Sequence, residues 1–194
     1  MSAAMKADMH GITIELVQGN IVQQDVDAVV NAANSSLLGG GGVDGAIHMA
    51  AGPKLLEETR ALGGCATGDA KMTNGYNLPA QHIIHAVGPV YRANDATVAA
   101  QLGSAYRRSL EIAIAHNLQS IAFPAISTGV YRYPLDEAAE IALEACSAVL
   151  ADGTQRGSLK LVRFVLFTEA AYQAFVEALR QMAIRNRGIA IDTP

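Results

Sequence analysis

Four consecutive glycines, Gly39–Gly42, constrain the fold of this chain more than any other stretch of its sequence. The preceding run Asp25–Val30 is short, apolar and β-branched, which is typical of a buried strand, and Val43–Ala51 has the apolar spacing of a helix. The glycines therefore connect a strand end to a helix start. A turn without Cβ atoms lets the main chain approach an anion closely, and the helix adds unpaired N–H groups and the positive end of its dipole. The pattern predicts a site for a phosphorylated ligand.

Two other interpretations of the glycine run stay open on these residues alone. The run could be a plain connector. It could also belong to a dinucleotide-binding unit, because Gly40, Gly42 and Gly45 match the G-x-G-x-x-G pattern between a strand and a helix. Such a unit also needs an acidic residue at a strand end about 20 residues later. Residues 63–65 read Gly-Gly-Cys in that region, which argues against a dinucleotide site.

A second strand, small-residue loop and helix follow further along the chain. Ile121–Ser127 has the pattern of a buried strand and continues into Ser127-Thr-Gly-Val-Tyr131. Pro134–Leu150 then reads as an amphipathic helix that begins with proline and acidic residues. Two such loops could hold a pyrophosphate from both sides with neutral N–H and hydroxyl donors, whereas a dinucleotide-binding unit supplies one.

These segments resemble the macrodomain family, and specifically its bacterial class that hydrolyses O-acetyl-ADP-ribose and removes mono-ADP-ribose from acidic side chains. The resemblance spans residues 12–185, and its specific segments are Gly39–His48 and Phe123–Tyr131. One position departs from the family pattern, since Asn20 stands where the family usually has aspartate. Further segments match in order and spacing: Val17–Ile21, Val30–Asn34, Ala50–Gly52, Cys65–Gly68 and His85–Pro89.

The resemblance implies roles for the residues of the site. It implies that Asn34 hydrogen-bonds the distal ribose hydroxyls and that Asp44 holds a water or a ribose hydroxyl beside the bond to be broken. A helix dipole stabilises the ionised form of an aspartate in the first turn, so Asp44 should orient water better than it removes a proton. The residues expected to bind ADP-ribose are Asn20, Ile21, Gly40, Gly41, Gly42, Val43, Ser127, Thr128, Gly129, Val130, Tyr131 and Phe167.

Several side chains near these motifs have a structural interpretation beside the functional one. Phe167 could stack on adenine or be a buried strand residue, and Tyr131 could cover the distal ribose or pack in the core. Asn31 could satisfy backbone groups at the strand end or contact the ligand. His82 and His85 alternate with isoleucines, and we expect them to be hydrogen-bonded structural residues rather than bases.

Composition agrees with a soluble enzyme. The chain has 194 residues, of which 51% are hydrophobic and 16% charged, and this suits one α/β domain with a substantial core. A net charge of −4 without basic clusters argues against broad nucleic-acid binding. The sequence shows neither a transmembrane span nor a signal peptide, so we expect a cytoplasmic monomer without membrane contact. Cys65 and Cys146 lack metal-type spacing and should be reduced structural thiols, and no metal or cofactor is predicted.

Strand and helix patterns interleave along the chain, which predicts a three-layer α/β/α domain with a central mixed, mainly parallel sheet. The resemblance implies the macro fold specifically, over residues 12–186. We expect loose tails at 1–11 and 187–194, because the ends of a chain are often poorly ordered. The patterns place strands near 12–20, 27–33, 69–74, 82–88, 120–127 and 159–168, and helices near 43–60, 97–116, 134–151 and 169–186.

The function that the resemblance implies is hydrolysis of ADP-ribose derivatives. The expected reactions are deacetylation of O-acetyl-ADP-ribose, removal of mono-ADP-ribose from acidic side chains of proteins, or both. The alternative is a non-catalytic ADP-ribose-binding module. Asn34 and Asp44 favour the enzyme, because a binding module needs the two loops but not a carboxylate that positions water.

Overall fold

The computed structural model describes residues 4–192, which fold around one eight-stranded sheet. Residues 1–3 and 193–194 belong to the two predicted tails and lie outside the described part. The strands are β1 (Met5–Met9), β2 (Ile12–Gln18), β3 (Ala28–Ala33), β4 (Ala70–Asn74), β5 (His82–Val87), β6 (Ser120–Phe123), β7 (Leu161–Leu166) and β8 (Ile189–Ile191). A short 3₁₀ helix covers Ile21–Gln23, and the α-helices are α1 (Gly42–Ala51), α2 (Pro53–Leu62), α3 (Ala96–Ala115), α4 (Leu135–Ala151) and α5 (Glu169–Arg185).

The strands lie in the order β4-β5-β3-β6-β7-β2-β1-β8 across the sheet. The central strands β5, β3, β6, β7 and β2 are mutually parallel. The edges are antiparallel, with β4 on one side and β1 and β8 on the other. Parallel neighbours need crossover connections, which the helices provide. The prediction of a three-layer α/β/α fold with a mixed, mainly parallel sheet is confirmed.

Successive side chains of a strand point to opposite faces of the sheet, so neighbouring residues pack in different layers. Val29 of β3 belongs to the apolar cluster with Ile47 of α1 and Leu55 of α2. The next residue, Val30, belongs to the larger cluster formed with α3, α4 and α5. Asn31 therefore points to the same layer as Val29, which is the layer that contains α1.

Both chain ends differ from the prediction of loose tails. Strands β1 and β2 form a hairpin through His10 and Gly11, whose φ angles of 56° and 87° suit a two-residue hairpin turn. Ala7 and Met9 of β1 are buried, and β8 pairs with the outer edge of β1. The prediction is wrong for these strands, because their main chains complete the sheet and their inward side chains join the core.

The helix predicted over residues 43–60 is two helices. Gly52 has a φ of 90°, outside the helical region, and Pro53 has no N–H group to continue the hydrogen-bond ladder of α1. Pro53 instead begins α2, where its missing N–H has no helical partner to lose. The strand predicted over 120–127 ends at Phe123, so residues 124–127 are available to a loop.

Within residues 4–192, none of the helices has the length and apolar character needed to cross a bilayer. Cys65 and Cys146 are both buried and free in the part of the chain that the structure describes, and their reduced state stays a prediction. Burial raises the pKa of both thiols above the ordinary value, so both are held in the protonated, less reactive form.

Candidate functional site

A cleft of about 700 Å³ opens where the parallel strands β2, β3, β6 and β7 end. The loops after these strands meet because the carboxyl ends of parallel strands lie at one edge of the sheet, where open α/β sheets bind ligands. Every residue predicted to bind or convert the ligand lines this cleft: Asn20, Ile21, Asn34, Gly40, Gly41, Gly42, Val43, Asp44, Ser127, Thr128, Gly129, Val130, Tyr131 and Phe167. The structure brings the whole set together, and the role of each residue toward a ligand stays a prediction.

The glycine loop, residues 39–42, packs closely on the helix that follows it. A Cβ on Gly45 would lie 2.6 Å from the carbonyl oxygen of Gly40, so only glycine at position 45 permits this approach. Helix α1 begins at Gly42, and the N–H groups of its first turn have no partner within the helix. Because this first turn lines the cleft, the positive end of the α1 dipole faces a bound ligand.

The second loop, residues 124–131, presents a further group of main-chain donors. Ser127 takes a φ of 67°, which is uncommon outside glycine, and its carbonyl accepts a hydrogen bond from the Tyr133 N–H at 2.9 Å. In the part of the chain that the structure describes, the N–H groups of Gly129, Val130 and Tyr131 have no hydrogen-bond partner. Three adjacent uncharged donors without a partner therefore belong to residues that line the cleft, which suits an anion site.

Gly88, directly after β5, makes room for the second loop. A Cβ at this position would lie 2.2 Å from Ser127 Oγ and 2.6 Å from Ile126 Cγ2. Ser127 Oγ is itself buried and lacks a hydrogen-bond partner among residues 4–192. Since buried hydroxyl groups are normally paired, this oxygen is available to a ligand or a water in the cleft. The sequence pattern around Gly88 does not predict this role.

Asp44 lies in the first turn of α1 and is only 4% exposed. Its Oδ1 accepts a hydrogen bond from Asn31 Nδ2 at 2.7 Å. His48 Nε2, one turn further along α1, lies 3.5 Å from the same oxygen and is buried without a hydrogen-bond partner in the described range 4–192. The other carboxylate oxygen, Oδ2, faces the glycine loop, because a Cβ on Gly40 would lie 3.0 Å from it. One oxygen of Asp44 is thus held by the protein, and the other lies beside the cleft.

Asn34 is fixed by its own loop. Its Nδ2 donates to the Gly39 carbonyl at 2.9 Å, and its Oδ1 accepts from the Ser36 hydroxyl at 2.6 Å. The same hypothetical Cβ on Gly40 would lie 3.4 Å from Asn34 Nδ2, so this amide and Asp44 Oδ2 converge on one point. An amide nitrogen carries two hydrogens, which leaves one for a ligand. The two residues expected to do the chemistry are therefore neighbours.

The contacts behind Asp44 do not follow from the sequence motifs. Asn31 is fully buried and bonds to Asp44, and its Nδ2 also lies 3.1 Å from His85 Nδ1. Burial lowers the pKa of His85 to about 3, with a smaller contribution from His48, so the His85 ring is neutral near neutral pH. The prediction that His85 is a hydrogen-bonded structural residue is confirmed. The available signal was that Asn31 and His85 are register partners on adjacent strands, which becomes visible only once the strand order is known.

The part of the cleft formed by the ends of β2 and β7 has a different character. Phe167 follows β7 and is 77% exposed, so its interpretation as a buried strand residue is wrong, and its ring is free to stack on a planar group. Asn20 follows β2, and its Oδ1 accepts a hydrogen bond from the Val22 N–H at 3.2 Å. The Asn20 Nδ2 donors are left for the cleft. Tyr131 is partly exposed and also lines the cleft, so it is not a core residue.

No cluster of three or more His, Cys, Asp or Glu side chains suited to a metal ion is found among the described residues. The polar groups of the cleft, set among apolar side chains, are main-chain N–H groups, amides, hydroxyls and one carboxylate. Such a set suits a phosphorylated ligand held by neutral donors, which is consistent with the negative net charge of the chain.

Comparisons with known proteins agree with this geometry. The model of a family described as Macro domain matches residues 30–142, which include both loops, Asn34 and Asp44. A macro domain-containing protein of Chlorobaculum tepidum is 52% identical over 168 residues, which cover 87% of this chain and 96% of that protein. An ADP-ribose glycohydrolase of Xenopus laevis is 46% identical over 176 residues, which cover 90% of this chain and 42% of that protein.

A solved structure resembles the whole fold. It is that of an Oceanobacillus iheyensis macrodomain with ADP, and it has a TM-score of 0.89 with this structure at 41% sequence identity. The superposition covers 95% of this chain and 98% of that one. The likeness therefore extends beyond the matched family range to the strands and helices at both ends of the chain.

Proposed function

This chain belongs to the macrodomain family, and from that premise we propose that it is a hydrolase of ADP-ribose derivatives. The proposed substrates are O-acetyl-ADP-ribose and proteins that carry mono-ADP-ribose on an acidic side chain. Both contain an ester that joins a carboxyl group to the distal ribose. Hydrolysis adds one water across that ester and releases ADP-ribose with either acetate or the free carboxylate of the protein.

Binding of ADP-ribose is supported by the two loops and by two of the relatives. The glycine loop with the start of α1 and the second loop both present N–H donors to the same cleft, which suits a pyrophosphate between them. The Oceanobacillus macrodomain holds ADP, and the Xenopus relative is named as an ADP-ribose glycohydrolase. Local donors must hold the pyrophosphate, because the net negative charge of the chain does not attract it.

The observation that carries a catalytic role is the buried Asp44 carboxylate beside the Asn34 amide. A module that only binds an anionic ligand gains nothing from a buried negative charge near it, because burial of a carboxylate is costly and like charges repel. A hydrolase does gain, since Asp44 Oδ2 can orient a water toward the ester while Asn34 holds the ribose. Orientation of a reactant is a large source of rate acceleration.

The test is to incubate the purified chain with O-acetyl-ADP-ribose and, separately, with a protein mono-ADP-ribosylated on glutamate. Chromatography should detect release of ADP-ribose from at least one substrate, and comparison of the two identifies the preferred class. Asp44→Asn keeps the size of the side chain and an acceptor for Asn31, so it should fold normally and lose turnover. If the wild type binds ADP-ribose by calorimetric titration but releases none from either substrate, the chain is a binding module.

A further inference from the structure

We infer that a buried chain of hydrogen bonds, Thr73 to His85 to Asn31, positions the Asp44 carboxylate; this inference rests on the proposed hydrolysis. Asn31 and His85 are fully buried and Thr73 is 3% exposed. They come from three neighbouring strands, β3, β5 and β4, and lie behind Asp44 rather than in the wall of the cleft. All three are therefore positioning residues, which act on the ligand only through Asp44.

The direction of each hydrogen bond can be worked out from Thr73. Its Oγ1 donates to the Asn74 carbonyl at 3.1 Å, and a hydroxyl has one hydrogen. Toward His85 Nε2, which lies 2.9 Å away, the same oxygen accepts, because the other ring nitrogen faces a donor. A carboxylate can only accept, so Asn31 Nδ2 donates one hydrogen to Asp44 and turns the other toward His85 Nδ1, which leaves the ring hydrogen on Nε2. Because burial keeps the ring neutral, His85 Nδ1 has no hydrogen and accepts from Asn31 Nδ2.

The Asn31 amide is then fixed in one orientation. Its Nδ2 carries two hydrogens, and one is donated to His85 Nδ1 and the other to Asp44 Oδ1. If the amide turned over, its carbonyl oxygen would face both the lone pair of Nδ1 and the carboxylate. His85 and the carboxylate therefore act together to keep the donor side of the Asn31 amide toward Asp44.

The consequence for the cleft lies in the second oxygen of Asp44. With Oδ1 held by Asn31, Oδ2 stays beside the glycine loop, on the same point toward which Asn34 Nδ2 is directed. Asn31 and His85 face each other in the register of two parallel strands, so the support is part of the rigid sheet. A carboxylate that orients water needs this kind of support, because small errors in position cost much of the rate.

The decisive pair of variants is Thr73→Val and Thr73→Ser. Valine keeps the shape of threonine but removes the acceptor of the His85 Nε2 hydrogen, so the ring can take its other tautomer. In that tautomer Nδ1–H faces the Asn31 amide donor and disturbs its hydrogen bond to Asp44. We expect the kcat for ADP-ribose release to fall by about tenfold or more, while the Kd for ADP-ribose stays within about twofold. Serine retains the hydroxyl and should restore kcat.

A second pair of variants separates His85 from its strand. His85→Leu removes the acceptor for Asn31 and should lower kcat with little change in Kd. His82→Leu is the matched control, because His82 lies on the same strand with its side chain on the other face of the sheet. It should leave kcat unchanged, and circular dichroism checks that all variants fold.

The tautomer of His85 gives a readout that does not depend on activity. Nitrogen-15 NMR of the wild type should show the ring hydrogen on Nε2, and Thr73→Val should show loss of that single form. A wild-type ring with its hydrogen on Nδ1 overturns the inference, and so does normal kcat in Thr73→Val and His85→Leu together. If the wild type itself releases no ADP-ribose, the proposed hydrolysis fails and the positioning role fails with it. If the wild type is active and Thr73→Val and His85→Leu are equally active, only the positioning role is overturned.

Discussion

Replacing Gly129 by glutamate tests whether the second loop holds the pyrophosphate of the proposed ligand. Gly129 lines the cleft, and a Cβ at this position would meet no atom within 4 Å. Its φ lies outside the left-handed region, so a side chain introduces no backbone strain. We therefore expect Gly129→Glu to fold normally and to bind ADP-ribose much more weakly, because a carboxylate would enter the phosphate site.

The size of the effect follows from Coulomb's law. A carboxylate about 5 Å from a phosphate charge is repelled by about 0.8 kcal/mol in water and by about 3 kcal/mol at an effective dielectric constant of about 20. Gly129 is exposed, which favours the smaller value. With the two charges of a pyrophosphate, the loss is about 1.6 kcal/mol at low salt, or about tenfold in Kd.

Calorimetric titration with ADP-ribose measures this change, and Gly129→Gln is the matched control, since glutamine has nearly the same size without the charge. The difference in Kd between the two variants should shrink at high salt, because it arises from charge repulsion. An unchanged Kd in Gly129→Glu, together with a normal circular dichroism spectrum, would refute the contact between this loop and the pyrophosphate.

Four further predictions concern rate, metal, stability and base recognition. Asp44→Ala and Asn34→Ala should each lower kcat by at least about tenfold, which is a loss of roughly 1.4 kcal/mol of transition-state stabilisation. The effect of each variant on Kd should be smaller. Turnover within about twofold of wild type in both variants would contradict the proposed mechanism. Activity should persist in excess EDTA, because main-chain donors are assigned the charge stabilisation; loss of activity that added metal restores would contradict this. Burial holds the pKa of folded His85 at about 3, below the 6.5 of an unfolded histidine, so its contribution to stability is complete above pH 6.5 and is lost as the pH falls toward 3. The free energy of unfolding should therefore decrease by up to about 1.4 kcal/mol per pH unit in that range, and denaturant titrations should show a flatter dependence in His85→Asn. Asn20→Asp should change the affinity for ADP-ribose by no more than about 1–2 kcal/mol. Wild type should tolerate inosine-diphosphate-ribose better than the variant does, because the amide can donate a hydrogen bond to the inosine carbonyl. If titration shows that both proteins discriminate equally between the two bases, Asn20 does not contact the base.

The parts of the site that lie within one short segment could be predicted from the sequence. Asn34, the glycine loop and Asp44 fall within eleven consecutive residues, 34–44, and each follows from a strand end, a turn or a helix start. The second loop is a segment of the same kind. Local backbone preferences decide such patterns, so they carry over directly from sequence to structure.

Contacts between distant segments could not be predicted in this way. Thr73, His85 and Asn31 meet because β4, β5 and β3 are neighbours, and a single sequence does not state strand order. The hairpin of β1 and the addition of β8 depend on the same missing information. Phe167 was ambiguous for a related reason, because an apolar run does not show at which residue the chain leaves the sheet and a side chain becomes exposed.

The strand order also separates the residues that should set the rate from those that should set the affinity. From β3 to β2 the order is β3-β6-β7-β2, and neighbouring strands lie about 4.8 Å apart, so the ends of β3 and β2 are about 14 Å apart. Asn34 follows β3, the second loop follows β6, Phe167 follows β7 and Asn20 follows β2. This sequence of sites parallels the sequence of groups along ADP-ribose, from distal ribose through pyrophosphate to base. Under the proposed function, changes at Phe167 and Asn20 should therefore alter Kd and leave the saturated rate unchanged, because they follow strands that lie two and three positions away from β3.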